Sequence, residues 1–310
     1  MAGVITGFAI IFSVIAVGYI LAKLGVIGDD HQRLMLNRIA FYAATPALLF
    51  HVVAQSDPAE LLSPVIIVTF FGTLVTAAVY CVISAMFFKK DIATTATGAA
   101  ASAYVNSNNI GLPVSIYVLG TGAYVAPILV MQMVIFAPMI LAALSTGDAE
   151  GSRAAKVWGA VKGSLLSPIV LASIAGLIVC VTGVELPAAV MEPTIILGGA
   201  SIPLILMSFG ASLPSTTVLS SAPDRPSILT ATAMKIVGMP AITYLIALAF
   251  GLQGDYLYAA VILAALPAAQ NVYNYAATYR KGEIVARDTV FLTTFFALAG
   301  MLGIAALFGR

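Results

Sequence analysis

Apolar residues in this chain do not alternate with polar ones. They gather into long runs divided by short polar stretches, at roughly 3–23, 34–54, 61–88, 92–120, 122–145, 164–183, 190–213, 227–250, 256–280 and 286–308. Each run is close to the ~20 residues that span a bilayer as a helix. The fold expected is an all-α polytopic membrane protein with ten transmembrane helices and almost no soluble remainder. The first run, GVITGFAIIFSVIAVGYILAK, has no positive flank before it and is too long for a signal-peptide core, so it reads as a retained helix.

Two runs are interrupted. Span 4 carries VNSNNIGLPVS at 105–115, and span 9 carries LPAAQNVYNY at 266–275. Backbone in a bilayer must satisfy its own hydrogen bonds, so an unwound stretch belongs only where protein or a wet cavity surrounds it. Pro113 removes a donor and clashes with the preceding turn, and Gly111 permits unusual dihedrals. Asn and Ser side chains can bond the orphaned amides and carbonyls. The expectation is a break over 106–113 between half-helices at about 92–105 and 114–120. In span 9, Pro267 breaks the helix, and Gln270, Asn271 and Asn274 supply the polar groups.

The chain also reads as doubled. ATPALLF with Pro46 in span 2 answers SIPLILM with Pro203 in span 7, and GLP with Pro113 in span 4 answers ALP with Pro267 in span 9. The paired prolines lie 67 residues apart in one half and 64 in the other. Five spans per half turn the second half upside down. The expected organisation is a first inverted repeat over 1–145, a cytoplasmic linker over 146–163 and a second inverted repeat over 164–310, forming one membrane domain. Interrupted helices at matching places in such repeats point to a secondary transporter with its site where the two breaks cross. Half-helix amino termini there favour an anion, and half-helix carboxy termini favour a cation.

Lysine and arginine set the orientation. Twelve of the fourteen lie in loops 1–2, 3–4, 5–6, 7–8 and 9–10 or at their helix ends, and the opposite loops QSDPAE, GTG, TGVELP and LQGD have none. The basic side is expected to be cytoplasmic, with both termini outside.

Composition agrees with a membrane class and excludes others. The 310 residues are 61% hydrophobic and 9% charged with a net charge of +1, against roughly 25% charged in soluble domains. No basic cluster suits nucleic acid. Cys81 and Cys180 read as small apolar fillers. His51 and His31 have no second ligand nearby, so no metal site is expected. Tyr117, Tyr124, Tyr256 and Tyr258 sit near the outer interface, where an aromatic belt is expected. All thirteen acids lie in loops, at helix edges or within about two turns of a boundary, Asp288 included, so no mid-depth carboxylate relay is visible.

Lys235 differs from the other charges. It lies about eight residues into span 8, where a basic group costs ~3 kcal/mol to insert. It reads either as an attractor for an anionic substrate or as a lysine that bonds unwound carbonyls of the crossover. Gly-x-Ser at 210–212 with His51 as base would be an intramembrane hydrolase, but nothing else supports a nucleophile–base pair.

VNSNNIGLP resembles the first crossover of the auxin efflux carrier family, whose bacterial-type members read approximately G-N-T-G-F-x-G-x-P. Asn106, Ser107, Gly111 and Pro113 match, while Val105, Asn108 and Asn109 depart from Gly, Gly and Phe. ALPAAQNVYNYAATY resembles the second crossover, at Pro267, Asn271, Ala277 and Tyr279, and Ser167-Pro168 stands where Asn-Pro is usual. The resemblance covers nearly the whole chain. It implies a malonate- or malate-permease-like carrier of a small organic anion, secondary active or facilitative, dimeric and in the cell (inner) membrane. No cofactor is expected, and coupling to a proton, to sodium, to exchange or to nothing stays open. It further implies substrate binding by Asn106 and Asn271, helped by amides around Val114 and Ser115. Asn108 and Asn109 make that site more polar and favour a strongly hydrophilic anion. A sodium-coupled symporter of the bile-acid-carrier type is the alternative, although AALPAAQN lacks the acid that those carriers place at the second crossover.

Overall fold

A computed structural model describes residues 2–58, 63–144, 158–159, 162, 165–213 and 218–310. Most of the expected linker over 146–163 lies outside the described residues. The helices in chain order are α1 (Ala2–Lys23), α2 (Asp30–Ile39), α3 (Thr45–Ala54), α4 (Val65–Ile83), α5 (Ile92–Ala103), α6 (Leu112–Val118), α7 (Val125–Met131) and α8 (Ala137–Leu144). They continue with α9 (Pro168–Thr182), α10 (Ala188–Gly199), α11 (Ser201–Ser212), α12 (Arg225–Ala233), α13 (Met239–Ala249), α14 (Gly254–Ala264), α15 (Gln270–Tyr279) and α16 (Glu283–Leu307). Among the described residues, six continuous stretches are long and apolar enough to cross a membrane. They are His31–Ala54, Val65–Phe88, Val125–Leu144, Ala188–Ser212, Ala222–Ala249 and Glu283–Leu307. Shorter apolar helices occupy Ala9–Lys23, Pro168–Thr182 and Gly254–Ala264. The chain is an all-helical, multi-pass membrane protein.

Helix ends follow local chemistry. Asp29, Asp91 and Ser167 accept the amides of Gln32, Thr94 and Val170 at 2.7, 3.0 and 3.3 Å, capping α2, α5 and α9. Several helices widen to a π-helical turn in mid-course, at Ala40–Ala44, Gln132–Phe136 and Met234–Gly238. Each is followed two residues later by a proline: Pro46, Pro138 and Pro240. Proline has no N–H and its ring crowds the carbonyl four residues back. The widened turn relieves both, because the amide just before each proline reaches five residues back: Thr45 to Ala40, Ala137 to Gln132 and Met239 to Met234. The helix therefore passes the proline without ending.

The chain forms two compact units, each assembled from both halves of the sequence. The first comprises Met1–Ser63, Asn108–Val130 and Leu165–Thr217. In it α1 packs along α11, and α3 along α9 and α10. Small residues set these approaches: a Cβ at Gly18 would lie 2.1 Å from the Met207 carbonyl oxygen, and one at Gly210 would lie 2.0 Å from that of Ile15. Such close backbone contact replaces the hydrophobic driving force that lipid removes. Thr45 and Ser201 hydroxyls, both enclosed, bond at 2.7 Å across α3 and α11.

The second unit comprises Pro64–Ser107, Met131–Ser164 and Val218–Arg310. Here α4 packs against α5, α13 and α14, and α16 against α5, α12 and α15. Tyr80 is buried with Ala99 and Ala231, and its ring fills the space where a Cβ on Gly98 would stand. On one face of this unit Lys90 pairs with Asp224 at 3.1 Å. Nearby in the chain, the buried Asp288 carboxylate accepts the Leu219 amide at 2.8 Å and the neighbouring Arg287 guanidinium at 2.8 Å. Tyr124 and Tyr258 are buried, unlike the exposed Tyr117 and Tyr256, so the belt expectation fits only the latter two.

Candidate functional site

Both interrupted spans are broken, and within the second unit the breaks meet. After α5, residues Tyr104–Asn106 run extended; after α14, Ala265 and Leu266 turn and residues 267–269 run extended, and Val105 and Ala268 form an antiparallel bridge. The Asn106 amide donates to the Pro267 carbonyl at 2.8 Å, and the Ala269 amide to the Tyr104 carbonyl at 3.0 Å. This is the smallest unit of a β-ladder, and it satisfies four backbone groups that neither helix can satisfy.

The first break lies earlier than the run Asn106–Pro113 suggested. Helical structure resumes at Ser107, through a π-helical turn over Ser107–Gly111, and Pro113 falls in the first turn of α6. The π-helical turn runs straight into α6, so Pro113, two residues beyond it, follows the same widened turn as Pro46, Pro138 and Pro240 do. The polar residues thus build a widened turn rather than an open loop. In the second break Pro267 does lie in the extended stretch, whereas Gln270, Asn271 and Asn274 stand on the first turns of α15.

The expected site residues divide accordingly. In the second unit, Asn106 is 6% exposed at the bridge, Gln270 is half-buried, and Asn271 and Asn274 are exposed. The Tyr104 hydroxyl, beside the first break, interacts with the side chains of Asn271 and Tyr275. In the first unit, Asn108 donates to the Asn109 side chain at 3.0 Å. Val114 and Ser115 are fully enclosed, and the Ser115 hydroxyl donates to the Thr121 carbonyl at 2.5 Å.

Lys235 is 0% exposed. Its ammonium donates to the Ala264 carbonyl at 2.8 Å and contacts Met239 Sδ at 2.9 Å. Ala264 ends α14, so the lysine meets the negative end of a half-helix immediately before the break. This arrangement matches the carbonyl-bonding reading of Lys235.

Two further side chains were not singled out from the sequence. Gln132, 2% exposed, donates to the Val105 carbonyl at 2.9 Å and accepts the Ser107 hydroxyl at 2.6 Å. Thr293, 0% exposed, accepts the Ala268 amide at 3.1 Å while donating to the Thr289 carbonyl at 2.7 Å. A lone amide inside VAPILVMQMVIFAP was the available signal for Gln132. A threonine in span 10 carried none, because most membrane threonines bond their own helix. The His51–Ser212 pair gains no support, since the Ser212 hydroxyl donates to the Phe209 carbonyl of its own helix at 2.7 Å.

Comparison with known proteins accords with this architecture. The family described as membrane transport protein matches residues 3–304. A Rhizobium meliloti (strain 1021) protein named "Putative malonate transporter" is 28% identical over 311 residues, covering 97% of this chain and 94% of its own. An "Uncharacterized transporter" of Methanothermobacter thermautotrophicus is 24% identical over 295 residues, covering 93% and 92%. A match over almost the whole length, on a chain whose two broken helices meet, places this protein among transporters rather than enzymes: it belongs to the membrane transport protein family, that of the auxin efflux carriers.

Proposed function

We propose that the protein is a secondary carrier of a small organic anion, a carboxylate such as malonate or malate, working by alternating access at the span 4–span 9 crossover. The Val105–Ala268 bridge carries this reading. There α14 ends, α15 begins, and Asn106 and Asn271 flank the junction. The amino terminus of α15 favours negative charge, and Asn271 and Asn274 offer amide donors to a carboxylate. The relative from Rhizobium meliloti supports malonate as the first substrate to try. In the second unit Gln270 joins Asn271 and Asn274, and the charge of Lys235 favours an anion; in the first unit Asn108, Asn109 and the amides around Val114 and Ser115 are the proposed substrate contacts. Gly111, Pro113 and Pro267 shape the crossover.

The proposed architecture is ten spans in two inverted repeats, 1–145 and 164–310, with both termini outside the cell (inner) membrane and two copies per assembly. The composition of the units supports the repeat in that spans 1 and 2 fall in one unit with spans 6 and 7, and span 3 in the other with spans 8–10; spans 4 and 5 are divided, with Asn108–Val130 in the first unit. The coupling ion is a proton or sodium.

Uptake of labelled malonate by proteoliposomes tests the proposal, in sodium-free buffer with and without an inward proton gradient. Wild-type protein should accumulate label, and Asn106→Ala or Asn271→Ala should abolish uptake while leaving folded, monodisperse protein. Wild-type rates in both variants would overturn the site, and failure of the wild type to move either malonate or malate would overturn the substrate class.

A further inference from the structure

The bridge leaves a definite set of backbone groups outside it. Its two hydrogen bonds run from Asn106 to Pro267 and from Ala269 to Tyr104, so the N–H and C=O of the bridged residues themselves, Val105 and Ala268, point away from one another. In a membrane interior each needs a partner. Two of them have side-chain partners: Val105 C=O takes Gln132 Nε2, beside the Ser107 amide that it also accepts at 2.9 Å, and Ala268 N–H gives to Thr293 Oγ1. Gln132 lies in the span that follows the first break, 27 residues beyond Val105; Thr293 lies in the span that follows the second, 25 residues beyond Ala268. The polarity is matched as well. A carbonyl can only accept, which fixes the Gln132 amide with nitrogen toward Val105 and oxygen toward Ser107. The Thr293 hydrogen is committed to Thr289, which leaves its oxygen to accept from Ala268. Neither side chain lies on the extended strands; each acts on them from behind.

We infer that Gln132 and Thr293 are paired positioning residues, one for each broken helix, which hold the crossover in register and so set where Asn106 and Asn271 stand. The inference rests on the proposed transport site for its functional consequence, but its structural part does not depend on the substrate. Gln132 fixes the residue before Asn106 and the residue after it. Thr293 fixes the third residue before Asn271. A latch removed from either side frees the same bridge, so the two should not act independently.

The test uses full-length protein in proteoliposomes, with Gln132→Leu and Thr293→Val as variants of similar volume and Thr293→Ser as the conservative control. Hydrogen–deuterium exchange is read first, on peptides covering 101–110 and 264–273. Either variant should speed exchange in both peptides, because the Asn106 and Ala269 amides belong to one bridge, and Thr293→Ser should restore protection. Labelled-malonate uptake is read second. KM should rise by about tenfold in each variant, the double variant should add little, and Thr293→Ser should return to the wild-type value. Gln132→Glu adds a signature: a protonated carboxyl can donate to Val105 and an ionised one cannot, so its exchange in the 101–110 peptide, taken relative to wild type at the same pH, should slow as pH falls. Unchanged exchange in both peptides would overturn the inference, as would a fall in protein yield with KM unmoved. Absence of malonate uptake by the wild type bears on the substrate reading alone, since the exchange result stands without it.

Discussion

An ammonium group enclosed in a membrane interior is costly unless something is gained from it. Lys235 spends its charge on one carbonyl, that of Ala264, which α14 would otherwise leave without a partner at its carboxy terminus. The sulfur of Met239, one helical turn on, fills the remaining side. Lys235→Met keeps the chain length and removes the donor. It should lower the thermal midpoint of the purified protein, because an unsatisfied buried acceptor costs about 1–3 kcal/mol. It should also raise the KM for malonate, through loss of a positive charge next to the crossover. Melting curves in detergent and initial uptake rates check both. A lowered midpoint with unchanged KM would confine Lys235 to capping. The sequence displayed the anomaly, a lysine eight residues into an apolar span, but not its partner. Ala264 lies 29 residues away, and its carbonyl is exposed to bonding only because the helix stops there.

At the level of helices, proline illustrates what could be read in advance. Pro267 and Pro113 both signal an interruption, yet only Pro267 lies in the extended stretch. Pro113 lies within the helical stretch that resumes at Ser107, while the break ahead of it uses Tyr104 and Val105, residues with no breaking tendency of their own. Their conformation is imposed by the opposite strand, and pairing between segments some 160 residues apart leaves no local trace. The run lengths, by contrast, gave most helix ends to within a few residues, since bilayer thickness and capping chemistry are local constraints. Asp91 is such a cap, at the start of the helix that leads into the first break. Burial alone would raise its carboxyl, but the Thr94 hydroxyl and amide and the positive charge of Lys281 outweigh that and hold it below the usual carboxylate range. A group with a lowered folded-state pKa stabilises above its unfolded value, and that stability is lost as pH falls through the folded one. Asp91→Asn keeps a capping oxygen without the charge. Wild type should therefore melt higher than Asp91→Asn at neutral pH, and the difference should begin to shrink below roughly pH 4 and narrow further as pH falls through the lowered folded-state value. A gap that does not change with pH across the acid range would show that the charge is not its source.

For the molecule as a whole, orientation is the property least tied to any one contact and most tied to the charge distribution. Twelve of fourteen basic residues fall in alternate loops, a separation that folding in water would not require. It is expected when a bilayer must be crossed repeatedly and cytoplasmic loops retain lysine and arginine. Lys89 and Gln253 report the two sides. Lys89 is exposed after α4, in the basic set of loops, and Gln253 is exposed before α14, in the set with none. Both native thiols, Cys81 and Cys180, are unpaired and can be replaced by serine or alanine to give a background without cysteine. In that background a membrane-impermeant maleimide should label Gln253→Cys in intact cells, and Lys89→Cys only after permeabilisation. The reverse pattern would invert the molecule and place the termini in the cytoplasm. Labelling of both positions in intact cells would mean that the segments between them cross the membrane an even number of times, which the five alternating spans expected from α5 to α13 do not allow. That outcome would count against the alternating spans on which the proposed inverted repeat depends, whereas the expected one would agree with it.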